Sequence, residues 1–79
     1  MNKAEIKQYH FDNIYGLESD PKIHEEYWVN TLPDDLYDLK DSYEYLMSKA
    51  GSWNSNEQGK LNAICKIFDT KLPNWRNVL

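Results

Sequence analysis

Apolar positions along this chain recur at helical rather than alternating spacing, and two stretches show it most clearly. In "PDDLYDLKDSYEYLMSKAG", placing residues at about 100 degrees each gathers Leu36, Leu39, Tyr43, Leu46, Met47 and Ala50 into one stripe. Pro33 suits a first helical turn, Asp34 and Asp35 complement the positive end of the helix dipole, and Gly51 suits a left-handed C-terminal stop. The pattern predicts a helix over 33–50. A second helix is predicted over 56–71, with Ser55 as N-cap, Gln58 completing a capping box, and Leu61, Ile64, Cys65, Phe68 and Leu72 on its apolar side. The short connection "GSWNS" makes these two the main antiparallel pair.

The first half is less regular. Asp20 before Pro21 is a helix start, and Ile23, His24 and Tyr27 form a short stripe that "NTLP" ends. Over 3–16, Ile6, Tyr9, His10, Ile14 and Leu17 share a helical face while Phe11 and Tyr15 fall outside it. A helix is the expected reading, with a strand from Ile6 to Phe11 as the alternative, because a lone strand would have no partner. After Pro73, "NWRNVL" can make one last turn that lowers Trp75, Val78 and Leu79 as a lid. The expected architecture is therefore an all-α bundle of three to five helices forming a single helical domain over 1–79.

Size sharpens this picture, since 79 residues lie near the lower limit at which a chain folds without staples. The single cysteine, Cys65, cannot form an internal disulfide, and the chain shows neither a secretory apolar region nor a membrane-length apolar run. No membrane partner is expected. A reducing cytoplasm is, and abundant Lys, Asn, Tyr and Ile suggests a bacterial or phage-infected cell.

Charge adds more than composition does. Glu18 to Glu44 holds nine acids against Lys22 and Lys40, while Tyr45 to Leu79 holds five bases against Glu57 and Asp69, so a net charge of -4 conceals an acidic middle and a mildly basic end. Lys49, Lys60, Lys66, Lys71 and Arg76 interleave with Trp53 and Trp75, a combination that can stack and hold single-stranded nucleic acid. Lys66 nevertheless points away from Lys60 and Lys71, and the acids repel phosphate, which disfavours direct nucleic-acid binding.

Catalytic constellations are not visible. His10 and His24 have no Ser, Cys or acid at triad spacing, "HEEYW" lacks a zincin's second histidine, and one cysteine with two scattered histidines cannot close a zinc site. No enzyme activity, cofactor or metal is expected. Cys65 lies on an apolar helix face as a small hydrophobe.

The remaining candidate is the outer face of the acidic helix. Asp34, Asp38 and Asp41 cluster within about 60 degrees opposite the leucine stripe, with Tyr45 among them and Glu44 and Tyr37 alongside. Most of these acids have no basic residue at i+4 to offset their repulsion, and tyrosine supplies rigid contact area at interfaces. Asp34, Tyr37, Asp38, Asp41, Glu44 and Tyr45 are therefore the expected partner-binding residues. The expected function is a non-enzymatic inhibitor that meets the basic surface of a nucleic-acid-binding protein or nuclease, as small acidic DNA mimics of the anti-CRISPR, anti-restriction and toxin-immunity kind do. The alternative is a structural or assembly subunit that binds through exposed Trp28, Trp53 or Trp75, and a homodimer that buries either Trp28 or the second face of the first helix is also open.

Overall fold

The computed structural model describes residues 1–16 and 18–78, Val78 by its backbone alone. Leu17, Leu79 and the Val78 side chain, expected on the first helix face and in the terminal lid, lie outside the described residues. Five helices follow one another: α1 (Lys3–Asp12), α2 (Pro21–Thr31), α3 (Leu36–Ser48), α4 (Ser55–Lys71) and α5 (Trp75–Val78). No strand occurs among the described residues, so the all-α expectation holds and 6–11 is helical.

Side-chain caps set the boundaries, and they correct several expected ones. The Asn2 carboxamide accepts from the Glu5 amide and Glu5 reaches back to the Asn2 N–H, starting α1. That helix stops at Asp12, short of Gly16, where Asn13 donates its side-chain amide to the Tyr9 carbonyl. α3 begins at Leu36 rather than Pro33, because Asp35 keeps an extended backbone and its carboxylate accepts from the Tyr37 N–H at 2.9 Å. Its helix ends at Ser48, leaving Ala50 exposed, while Gly51 turns the chain with φ +90. The capping box of α4 sits one residue earlier than expected: Asn54 and Glu57, not Ser55 and Gln58, satisfy each other's amides. Ser55 thereby becomes the first helical residue and is buried.

Two layers of packing meet on α4. One is the apolar cluster of Leu39 and Leu46 from α3, Leu61, Ile64 and Phe68 from α4, and Trp75 from α5. Tyr43 presents its ring edge to Trp75 and Phe68 at 5.3 and 6.3 Å. Ion pairs at opposite ends, Asp34 with Lys71 and Lys49 with Glu57, show that α3 and α4 run antiparallel as expected. Met47 and Leu72, expected within the apolar stripes, are 45% and 40% exposed, since Met47 lies in the last turn of α3 and Leu72 is the C-terminal cap of α4, where the stripe no longer faces a neighbour.

The other layer is α2 against α4, and here the backbones approach most closely. A Cβ on Gly59 would stand 2.6 Å from the His24 Cβ and from the Pro21 carbonyl oxygen, and 2.8 Å from the Glu25 nitrogen. Ser55, Gly59 and Ala63, four residues apart, form a buried small-residue side that admits α2. α1 then lies antiparallel on α2, its end near the start of α2 and its Lys3 and Lys7 near Asn30 and Thr31.

The three tryptophans are held within this frame. Trp75 is 2% exposed and donates to Asp69 at 2.7 Å. Trp53, half-buried, donates to the Leu46 carbonyl and so ties the α3–α4 loop to the end of α3. Trp28, also half-buried, donates to Asn56 at 2.8 Å under the Lys60 ammonium. Of the three, only Trp75 is buried, while Trp28 and Trp53 each keep part of their surface exposed.

Candidate functional site

The expected partner-binding residues are positioned by α3. With Leu39 fully buried and Leu46 nearly so, the opposite side of the helix must face solvent, and Tyr37, Asp38, Asp41, Glu44 and Tyr45 are all exposed there. Tyr37 is 82% and Tyr45 61% exposed, fates quite different from that of Tyr43 in the core.

Their electrostatic states differ in ways the spacing did not foretell. Asp34 lies before the helix and is clasped by Lys71 at 2.6 Å, which holds its carboxyl below the usual aspartate range. It is exposed but engaged, a tie between the start of α3 and the end of α4. Glu44 sits 3.9 Å from Lys40. Lys49 lies over the Tyr45 ring at 5.7 Å, though its main partner is Glu57 at 2.6 Å. Asp38 and Asp41 form no ion pair among the described residues. The face available for binding thus centres on Tyr37, Asp38, Asp41 and Tyr45, with Glu44 beside them.

A second constellation, unseen in the sequence, joins α1 and α2. The Nδ1 atoms of His10 and His24 lie 2.8 Å apart, and His24 Nε2 lies 3.0 Å from the Ser19 hydroxyl. Both rings are buried, at 2% and 0% exposure. Tyr27 stacks on His10 at 3.8 Å, and Trp28 meets its edge at 5.3 Å. Two Nδ1 atoms facing each other share a single proton, so one ring donates while the other accepts.

Burial, reinforced by the neighbouring His24, lowers the His10 pKa to about 4. Burial also lowers that of His24, against the opposing pull of Asp20. Ser19, His24 and His10 have the connectivity of nucleophile, base and orienting group, but a general base works best with a pKa near the operating pH. Imidazoles this reluctant to protonate are suited to holding helices together. The sequence did place both histidines on the inward stripes of their helices; what it did not reveal is that the two stripes face each other.

Cys65 is half-buried and burial pushes its thiol pKa up, which opposes thiolate chemistry. Among the described residues no group of three His, Cys, Asp or Glu is placed to hold a metal ion, and no helix is long and apolar enough to cross a membrane. Comparison of the chain with protein-family models, with curated proteins and with solved structures finds no match.

Proposed function

We propose that this chain is a non-catalytic binding protein whose α3 outer face docks on a basic surface of another protein. The observation that carries the reading is the pairing of two well-exposed tyrosines, Tyr37 and Tyr45, with two carboxylates, Asp38 and Asp41, that form no ion pair among the described residues. Exposed like charges repel one another along a helix without local return, and tyrosines between them supply contact area that solubility does not require. A cationic partner resolves both features: it neutralises the carboxylates, and its arginine planes can stack on the phenol rings.

Surfaces of that kind belong above all to proteins that bind nucleic acids. Carboxylates along one helix side can occupy positions taken by phosphates, so occupation of such a surface would exclude the nucleic acid and inhibit its owner. Long-range attraction would speed the encounter, and salt would slow it. Asp34 belongs at the edge of the face, because its bond to Lys71 must break before it can serve a partner.

The test is capture of partners by the purified protein and by an Asp38→Asn, Asp41→Asn, Tyr45→Ala triple variant, at low and high salt. The expected result is a basic protein retained at low salt by the parent and lost by the variant, with circular dichroism and melting temperature unchanged. Equal capture by both proteins would overturn the proposal, as would collapse of the variant's fold, which would remove these residues from the surface role.

A further inference from the structure

The helix α1 is held mainly against α2, outside the apolar cluster. Its only buried residues are Ile6 and His10, and none of its residues enters the cluster of Leu39, Leu46, Leu61, Ile64, Phe68 and Trp75. We propose that the His10–His24 pair is an acid-sensitive latch: neutral, it clamps α1 onto α2, and protonation releases α1 while the α3–α4–α5 core stays folded.

The geometry supplies the reason. With both rings neutral, one proton between the Nδ1 atoms makes a hydrogen bond of 2.8 Å. A first added proton places a charge in a nearly waterless site; a second leaves both Nδ1 atoms protonated and facing each other, which abolishes the bond and sets two cations together. Once α1 lifts, both imidazoles meet water and take protons as ordinary histidines do, near pH 6.5. Acid therefore favours the open form.

The surroundings of the pair offset this only in part. Asp20, at the start of α2, favours the charged form of His24, and the Tyr27 ring stacked on His10 favours a cation there. On α1, Tyr9 lies 6.0 Å from His24, ring to ring, and accepts the Asp20 N–H through its hydroxyl. Ser19, in the turn before α2, offers only a hydroxyl. From α4 the neighbour of His24 is Gly59, which has no side chain, and the Lys60 ammonium sits over Trp28. No salt bridge to either imidazole forms among the described residues.

Among the described residues, α1 and its following turn are tied further by the Tyr9 hydroxyl, by bonds of 3.4 Å from Ser19 to the Gly16 carbonyl and from Asn54 to the Ile14 carbonyl, and by the ring contact of Phe11 with Tyr27. Release would uncover Tyr27 and Trp28, giving the protein an aromatic face in acid that it lacks at neutral pH.

Hydrogen exchange read by mass spectrometry, corrected for intrinsic rates, tests the latch at about pH 7.5 and about pH 5. One histidine that changes from about 4 to an ordinary value on opening weakens α1 protection at least about 20-fold over that interval. α3 and α4, which open only with the whole fold, should exchange more slowly than α1 at both pH values. His10→Asn, which keeps a hydrogen-bonding nitrogen but takes no proton, should remove most of the pH dependence. Should that variant not fold, NMR titration of the parent's imidazole C2 protons replaces it, and both should take their protons below the ordinary histidine value, His10 furthest below. Protection of α1 equal in level to that of α3 and α4 at both pH values, which means that all open together, would overturn the proposal. So would unchanged α1 protection, or ordinary histidine titration with α1 still protected.

Discussion

Replacing Gly59 by alanine separates what a helix prefers from what this fold permits. In an isolated helix the change is favourable by about 1 kcal/mol, because alanine restricts the unfolded chain and glycine does not. Here the added methyl would stand 2.6 Å from the Pro21 oxygen, 2.6 Å from the His24 Cβ and 2.8 Å from the Glu25 nitrogen. Unstrained carbon contacts lie at roughly 3.5–4.0 Å, so about 1 Å of overlap must be relieved. Two of the three obstacles are backbone atoms, and no rotamer change can clear them. α2 would have to retreat, loosening His24 against His10 and the Trp28 bond to Asn56. Overpacking costs about 1–3 kcal/mol, and against two fixed backbone atoms the upper part of that range, about 2–3 kcal/mol, applies and exceeds the propensity gain.

A net loss of about 1–2 kcal/mol lowers the melting temperature of a domain this small by roughly 5–15 °C. Urea denaturation followed by tryptophan fluorescence would show it as a fall in midpoint with little change in slope. Thr70→Ala, on the exposed side of the same helix, provides the reference and should be neutral or slightly stabilising. A Gly59→Ala protein as stable as the parent, or more so, would refute the close approach of α2 to α4.

Two further outcomes are expected. The His10 pKa is lowered from 6.5 to about 4, so the unfolded chain binds more protons in between; stability should be full above pH 6.5 and fall with acid by about 3 kcal/mol by pH 4. Urea titrations between about pH 7 and pH 5 report this effect together with a contribution of the same sign from His24, since Asp34 and Glu57, held low by Lys71 and Lys49, stay ionised there; a flat profile would contradict it. Asn54→Ala should cost about 1 kcal/mol by opening the capping box of α4, measurable as a drop in melting temperature, whereas Ser55→Ala should leave the cap itself intact.

The chain's own pattern determined that this protein is helical and which side of α3 faces water. Leu39 and Leu46 recur at the helical period, and that period is a local property that packing did not overrule. It also sorted three nearby tyrosines, placing Tyr43 inward and Tyr37 and Tyr45 outward. Exact helix ends were less legible, because nearby residues such as Asn54 and Ser55, or Pro33 and Asp35, compete as starts and only the realised hydrogen bonds choose between them. The free or engaged state of each acid was not legible either, since Asp34 meets Lys71 only once α4 folds back. Tertiary structure alone decided that α2 nests against Gly59 and that His10 finds His24. A glycine looks like a weak point until another backbone fills its place, and a histidine's chemistry is set by the side chain it is buried against.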